Sequence, residues 1–172
     1  DATPAAARRE LGEAHAYIIG GDFQRRPQAA AVMKIYDVGG RRVYWFVDEC
    51  GVKGTEVEVS TELMGAPHSY VPDASSERGA VWVADCSGSW QGAERIRGRT
   101  SFSLLEAEGW SVYPAEVVRI SGKSDQPKNP DIAQRLGLAQ RLMEAGRLRV
   151  SPACEWLIEA FAKCQLRKVE SG

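Results

Sequence analysis

The sequence predicts an α/β domain on a mixed sheet, with three antiparallel strands followed by parallel additions and flanking helices. Two observations carry this. Three apolar runs follow one another near the start, and Gly39-Gly40 separates the last two. From residue 80 onward, short apolar runs alternate with segments of helical period, as in a sheet with crossover helices.

The elements follow in order. Residues 3–14 read as a short lead-in helix, and residues 15–172 as the domain proper. Residues 15–23 (HAYIIGGDF) form an apolar run ending in a polar turn, as a buried strand does. Residues 29–37 give a second strand. Glycine accepts the positive φ of a tight two-residue turn, so Gly39-Gly40 marks a hairpin. Residues 41–48 (RRVYWFVD) return as a third strand, rich in aromatic and β-branched residues. A short helix is expected over 55–64, and a polar loop over 67–78.

Residues 80–85 (AVWVAD) are continuously apolar up to the aspartate, which places a fourth strand inside the sheet. A helix is expected over 91–108, stopping near Gly109. Residues 110–115 (WSVYPA) give a fifth strand, and 120–129 a loop. Asn129 can cap a helix whose first position is Pro130. Ile132, Leu136, Ala139 and Leu142 or Met143 share one face of it, and Gly146 ends it. Residues 147–150 are a short extended piece. Ser151-Pro152 is expected to open a last helix with Leu157, Ile158 and Phe161 inward.

Composition excludes more than it selects. No apolar run approaches the roughly 18 residues of a membrane span. The 22 basic and 23 acidic residues leave a formal charge of −1, so bulk charge gives no support for nucleic-acid binding. Cys50, Cys86, Cys154 and Cys164 make no C-x-x-C pair, which argues against a zinc site and favours free thiols in a reducing compartment. His15 and His68 lack ligand spacing, and no Walker A, G-x-G-x-x-G or G-x-S-x-G sequence is present.

Two aspartates stand out by position. Asp22 ends the first strand and Asp85 the fourth. If those strands adjoin, both carboxylates emerge at one sheet edge. Carboxylates held that close repel one another and call for a cation between them. Their hard oxygens select Mg²⁺ or Mn²⁺. Two such ions would activate water and stabilise the leaving oxygen of a phosphodiester. A strand-end aspartate commonly does no more than cap a helix or sit in a turn. Asp48-Glu49 reads as a solvated hairpin end, with a neighbouring place at a metal site as the alternative. Arg25, Arg26 and Lys123 lie on loops near the expected strand ends and are the candidate DNA contacts. Arg95, Arg97 and Arg99 read as a solvated helix face.

Several segments together are similar to one family. GGDFQRRPQAAAVMKIY resembles the opening hairpin of the nuclease domains of tailed-bacteriophage large terminases. YWFVDE and VWVADCSG resemble their third and fourth strands. The stretch from GWSVYPA through DIAQRLGLAQRLMEAGRLRVSPACEWLIEAF resembles their C-terminal part. The resemblance spans about residues 16–166 and implies an RNase H-like fold. It also implies a metal-dependent endonuclease that cuts concatemeric double-stranded viral DNA during packaging. Asp22 and Asp85 match the family's first two acidic positions and would be catalytic metal ligands for two Mg²⁺ or Mn²⁺ ions. Implied partners are double-stranded DNA, an ATPase domain, a small terminase subunit and the portal of a procapsid, in a host's cytoplasm. The family's third acid has no clear match before Gly172, and Asp131 and Glu159 are the acids available. Another RNase H-like nuclease, such as a junction resolvase, or a non-catalytic DNA-binding or motor-docking domain are the alternatives.

Overall fold

The computed structural model describes residues 10–22, 28–52, 80–84, 100–115 and 132–163. These form one mixed sheet of six strands and three helices. In chain order they are β1 (Ala16–Asp22), β2 (Gln28–Val38), β3 (Arg41–Val52), β4 (Val81–Ala84), α1 (Ser101–Ala107), β5 (Ser111–Pro114), α2 (Ile132–Glu144), β6 (Leu148–Val150) and α3 (Glu155–Lys163). The strands lie in the order β5-β4-β1-β2-β3-β6. β1, β2 and β3 are an antiparallel meander, and β4, β5 and β6 join in parallel at its two sides. This is the RNase H-like arrangement the sequence suggests. Only β2 runs against the rest, so the carboxyl ends of the other five strands share one edge.

The long hairpin forms where the sequence places it. Gly39 and Gly40 have φ of +58° and +75°, values that L-residues with side chains rarely adopt. The Gly40 amide also donates to Asp37 Oδ1 at 3.1 Å. Side-chain alternation then sorts the sheet into two faces. On one face Ile19 stands beside Val32 and Trp82, and Gly21 beside Ala30 and Ala84. That face is the core, closed by Phe102 and Leu105 of α1 and by Trp110. Trp82 and Trp110 meet edge-on with ring centroids 6.4 Å apart, a pair worth about 1 kcal/mol beyond its area.

Several expected boundaries move. The lead-in helix does not reach residue 14. Gly12 has a φ of +79°, and Ala14 is buried in the core instead. Of the helix expected over 91–108, residues 91–99 lie outside the described residues, and α1 begins at Ser101, with Thr100 as an extended N-cap. Thr100 Oγ1 accepts from the Ser103 amide at 3.1 Å, and Ser103 Oγ accepts from the Thr100 amide at 2.9 Å. β3 runs on to Val52, so Asp48-Glu49 lies inside a strand and is not a hairpin end. Ser151-Pro152 does not open the last helix. The Cys154 amide bonds the Ser151 carbonyl in a tight turn, and the first helical bond runs from the Ile158 amide to the Cys154 carbonyl. Ile158 points outward at 43% exposure.

Other expectations hold. α2 ends at Gly146, with φ +65°. There the Gly146 amide bonds Met143 O, and the Arg147 amide bonds Leu142 O. The extended piece after it is β6, which pairs with the edge of β3 through Tyr44–Leu148 to Phe46–Val150. Among the described residues no helix is long and apolar enough to cross a membrane. The expected helix over 55–64 lies outside the described residues, as do the loops over 67–78 and 120–129 and the cap at Asn129.

Candidate functional site

The face opposite the α1 core carries a row of small residues. Register places Val83, Gly20, Ala31 and Glu49 side by side across four strands, and Asp22 beside Ala29. Gly20, Ala29 and Ala31 put almost no bulk on this face, so the sheet cannot fill the space above it. The result is a cleft of about 460 Å³ at the strands' carboxyl ends, with Asp22, Glu49 and Ala115 at its sheet side. α2 and α3 supply the other wall through Arg135, Trp156, Leu157 and Ala160. A cleft beyond the carboxyl ends of a sheet's parallel strands is where α/β proteins place ligands.

A β-bulge decides which acid reaches the cleft. Met33 pairs with Phe46, but Val32 pairs with Asp48, so one extra residue enters β3 at this point. Without it Ala31 would stand beside Asp48. With it Glu49 takes that place and faces the cleft. The Asp48 carboxylate instead accepts from the Glu49 amide at 2.9 Å.

Glu49 is a structural clamp as well as a lining residue. Its Oε1 accepts from the Trp156 amide and its Oε2 from the Leu157 amide, both at 2.8 Å. These amides belong to the first turn of α3 and have no acceptor within the helix. The sequence before α3, Ser-Pro-Ala-Cys, puts Cys154 at the cap position, and cysteine caps poorly. A carboxylate 107 residues away in sequence does the work, and it also meets the positive end of the helix dipole. Beneath this contact Cys154 is fully buried, and burial pushes its thiol up to about 11, with Glu49 and Asp48 adding to the rise. Burial raises the Cys50 thiol in the same direction, with Asp48 contributing. Neither thiol is an activated nucleophile.

The sequence-derived candidates divide into two groups. Asp22 is exposed at the rim of the cleft. Asp85, Arg25, Arg26, Lys123 and Asp131 lie outside the described residues, as do Arg95, Arg97 and Arg99. The strands that lead to Asp22 and Asp85 do adjoin, since β1 and β4 pair in parallel and Gly21 stands beside Ala84. Glu159 is ion-paired with Lys163 on α3 and is not among the described residues lining the cleft. Among the described residues no group of three or more His, Cys, Asp or Glu could hold a metal ion. Arg135 and Trp156 were not singled out from the sequence, and Glu49 entered there only with Asp48, as the alternative to a solvated hairpin end. Glu49's place depends on the bulge, and the other two depend on how α2 and α3 dock.

Fold and cleft together define an α/β protein of the RNase H-like class with its candidate site at the carboxyl ends of the sheet. No protein-family model matches the chain, and no curated protein matches it by sequence. Among solved structures it is similar to the nuclease domain of the P22 large terminase, with a TM-score of 0.53 and 18% sequence identity. The likeness covers 86% of this chain and 66% of that one, so the chain spans just under two thirds of the domain it resembles. At this identity the likeness is one of fold.

Proposed function

We propose that the chain is the nuclease domain of a large terminase, a divalent-metal-dependent endonuclease acting on double-stranded DNA. One observation carries the reading. β1 and β4 are parallel neighbours ending level, and the residues that follow Gly21 and its partner Ala84 in the sequence are Asp22 and Asp85. The reading requires these two carboxylates to share one metal site at the cleft. The donors it names are carboxylate oxygens, which suit Mg²⁺ or Mn²⁺ and not a thiolate-selecting ion. Ions bound there would supply an activated water and a charge for the leaving oxygen. Asp22 and Asp85 would hold the ions, and the open floor of Gly20, Ala29 and Ala31 would let the DNA backbone approach. An ATPase domain, a small terminase subunit and a portal are the partners that the same reading entails.

The test is cleavage of supercoiled plasmid in Mn²⁺. Asp22→Asn and Asp85→Asn are each expected to abolish nicking and linearisation while thermal unfolding stays as in the wild type. Undiminished cleavage by both variants overturns the proposal. A second reading, a DNA-holding or motor-docking domain without cleavage, draws on Glu49, an acid of the cleft whose two carboxylate oxygens are both taken by amides of α3. DNA binding with no Mn²⁺ uptake by calorimetry would favour that reading. Preference for branched over linear duplex would move the assignment to a junction-resolving nuclease.

A further inference from the structure

The helical wall of the cleft carries two side chains that the fold does not use. Trp156 is 56% exposed, whereas Trp45, Trp82 and Trp110 are 2%, 0% and 5% exposed. An indole left this open forgoes a large share of the burial that makes tryptophan favourable in a core. Its backbone is nevertheless fixed, because its amide is one of the two that Glu49 holds. Arg135 on α2 lines the same cleft, is exposed, and makes no hydrogen bond or ion pair with another described residue. Four other described cations are engaged. Arg149 pairs with Glu10 and lies over the Trp45 ring, Arg147 bonds the Arg42 carbonyl, Lys163 pairs with Glu159, and Lys34 lies over Tyr17. Arg135 is the one cation among the described residues lining the cleft.

We propose that Arg135 and Trp156 form the substrate-holding wall of the cleft for duplex DNA, facing the acidic sheet edge, with Glu49 as the residue that positions Trp156. This rests on the endonuclease reading above and adds to it the residues that grip the substrate. The guanidinium pairs with a backbone phosphate, bringing positive charge to a cleft whose sheet side is acidic and would otherwise repel DNA. The indole packs on the adjoining deoxyribose, a contact that tolerates any sequence. A rigid aromatic on a clamped helix makes this contact at small cost in side-chain entropy.

The experiment measures binding of a short blunt DNA duplex by anisotropy with Ca²⁺ present, alongside Mn²⁺-dependent plasmid cleavage, for the whole chain. Trp156→Ala is expected to weaken binding roughly tenfold, the worth of one interface aromatic. Trp156→Phe should retain binding and lose the fluorescence quenching that the duplex causes in the wild type. Arg135→Ala should weaken binding several-fold and lower the salt slope by about 1. Both side chains are exposed, so all three variants should unfold at the wild-type temperature. Wild-type affinity and salt slope in both alanine variants, with cleavage intact, overturn this inference and leave the endonuclease reading standing. A wild-type chain that neither binds nor cuts duplex overturns both.

Discussion

The two walls of the cleft are built on opposite plans. The sheet wall consists of Gly20, Ala29 and Ala31 with acids at its rim, and its backbone is fixed by ladders on both sides. The helical wall consists of larger side chains, Arg135, Trp156 and Leu157, on two helices joined through β6, which is laddered to β3. The sheet wall stands on a core of buried aromatic and aliphatic residues. In the helical wall the first turn of α3 is held by one carboxylate, that of Glu49. The difference teaches where precision is placed. Groups proposed to do chemistry leave the rigid sheet edge, and groups proposed to hold the substrate sit on helices, one of which is clamped to the sheet at its first turn.

The strongest way to break this contrast is at the core. Trp82→Ala should cost about 3–5 kcal/mol, because it empties a fully buried site against Trp110 and Ile19 directly under the sheet wall. Chemical denaturation reads that loss, and a cost under 1 kcal/mol would show that the sheet wall does not rest on this packing. Glu49→Ala should cost about 1–2 kcal/mol, the usual worth of a cap, since two first-turn amides lose their acceptors. Hydrogen exchange should quicken at Trp156 and Leu157 and stay slow at Ile19 and Val32. Equal quickening at all four would mean that the walls are not separable.

Smaller effects sharpen the same contrast. The Cys154 thiol is raised in the folded chain, so the folded state holds its proton more tightly than the unfolded state does. Its contribution to stability is complete below pH 9 and is lost as pH rises toward about 11. Labelling by a thiol reagent at pH 8 should therefore be slow in the wild type and faster in Glu49→Ala, which loosens α3 above the thiol. Gly20→Ala should be the mildest change. The nearest atom to an added Cβ is the Ala31 carbonyl oxygen at 3.9 Å, an ordinary contact. A gain of about 0.5 kcal/mol is expected, as for glycine replaced within a strand. A loss of stability would show that the open floor is a demand of the fold and not of the site.

Much of this plan is legible in the residues. Local signals fixed the hairpin at Gly39-Gly40, the apolar strand before Asp85, and the stop at Gly146, because turn chemistry and side-chain period act over a few residues. The 101–107 helix was legible only in part. Its true start depends on Thr100 and Ser103 bonding each other's backbone, a capping signal overshadowed by the polar stretch before it. Asp22 was visible as a strand-end acid, but its cleft was not, because a cleft is made by elements distant in sequence.

The sequence by itself determined the α/β class, the antiparallel meander, the order of strands and helices, and the position of Asp22 at a strand end. Only the tertiary structure decided that β6 lies along β3, that Glu49 and not Asp48 faces the cleft, and that a β3 carboxylate caps α3. The physical reason is the same in each case. Period and turns are encoded locally, whereas a one-residue bulge reverses which face every later side chain meets, and a cap's acceptor can come from any strand that the fold brings near.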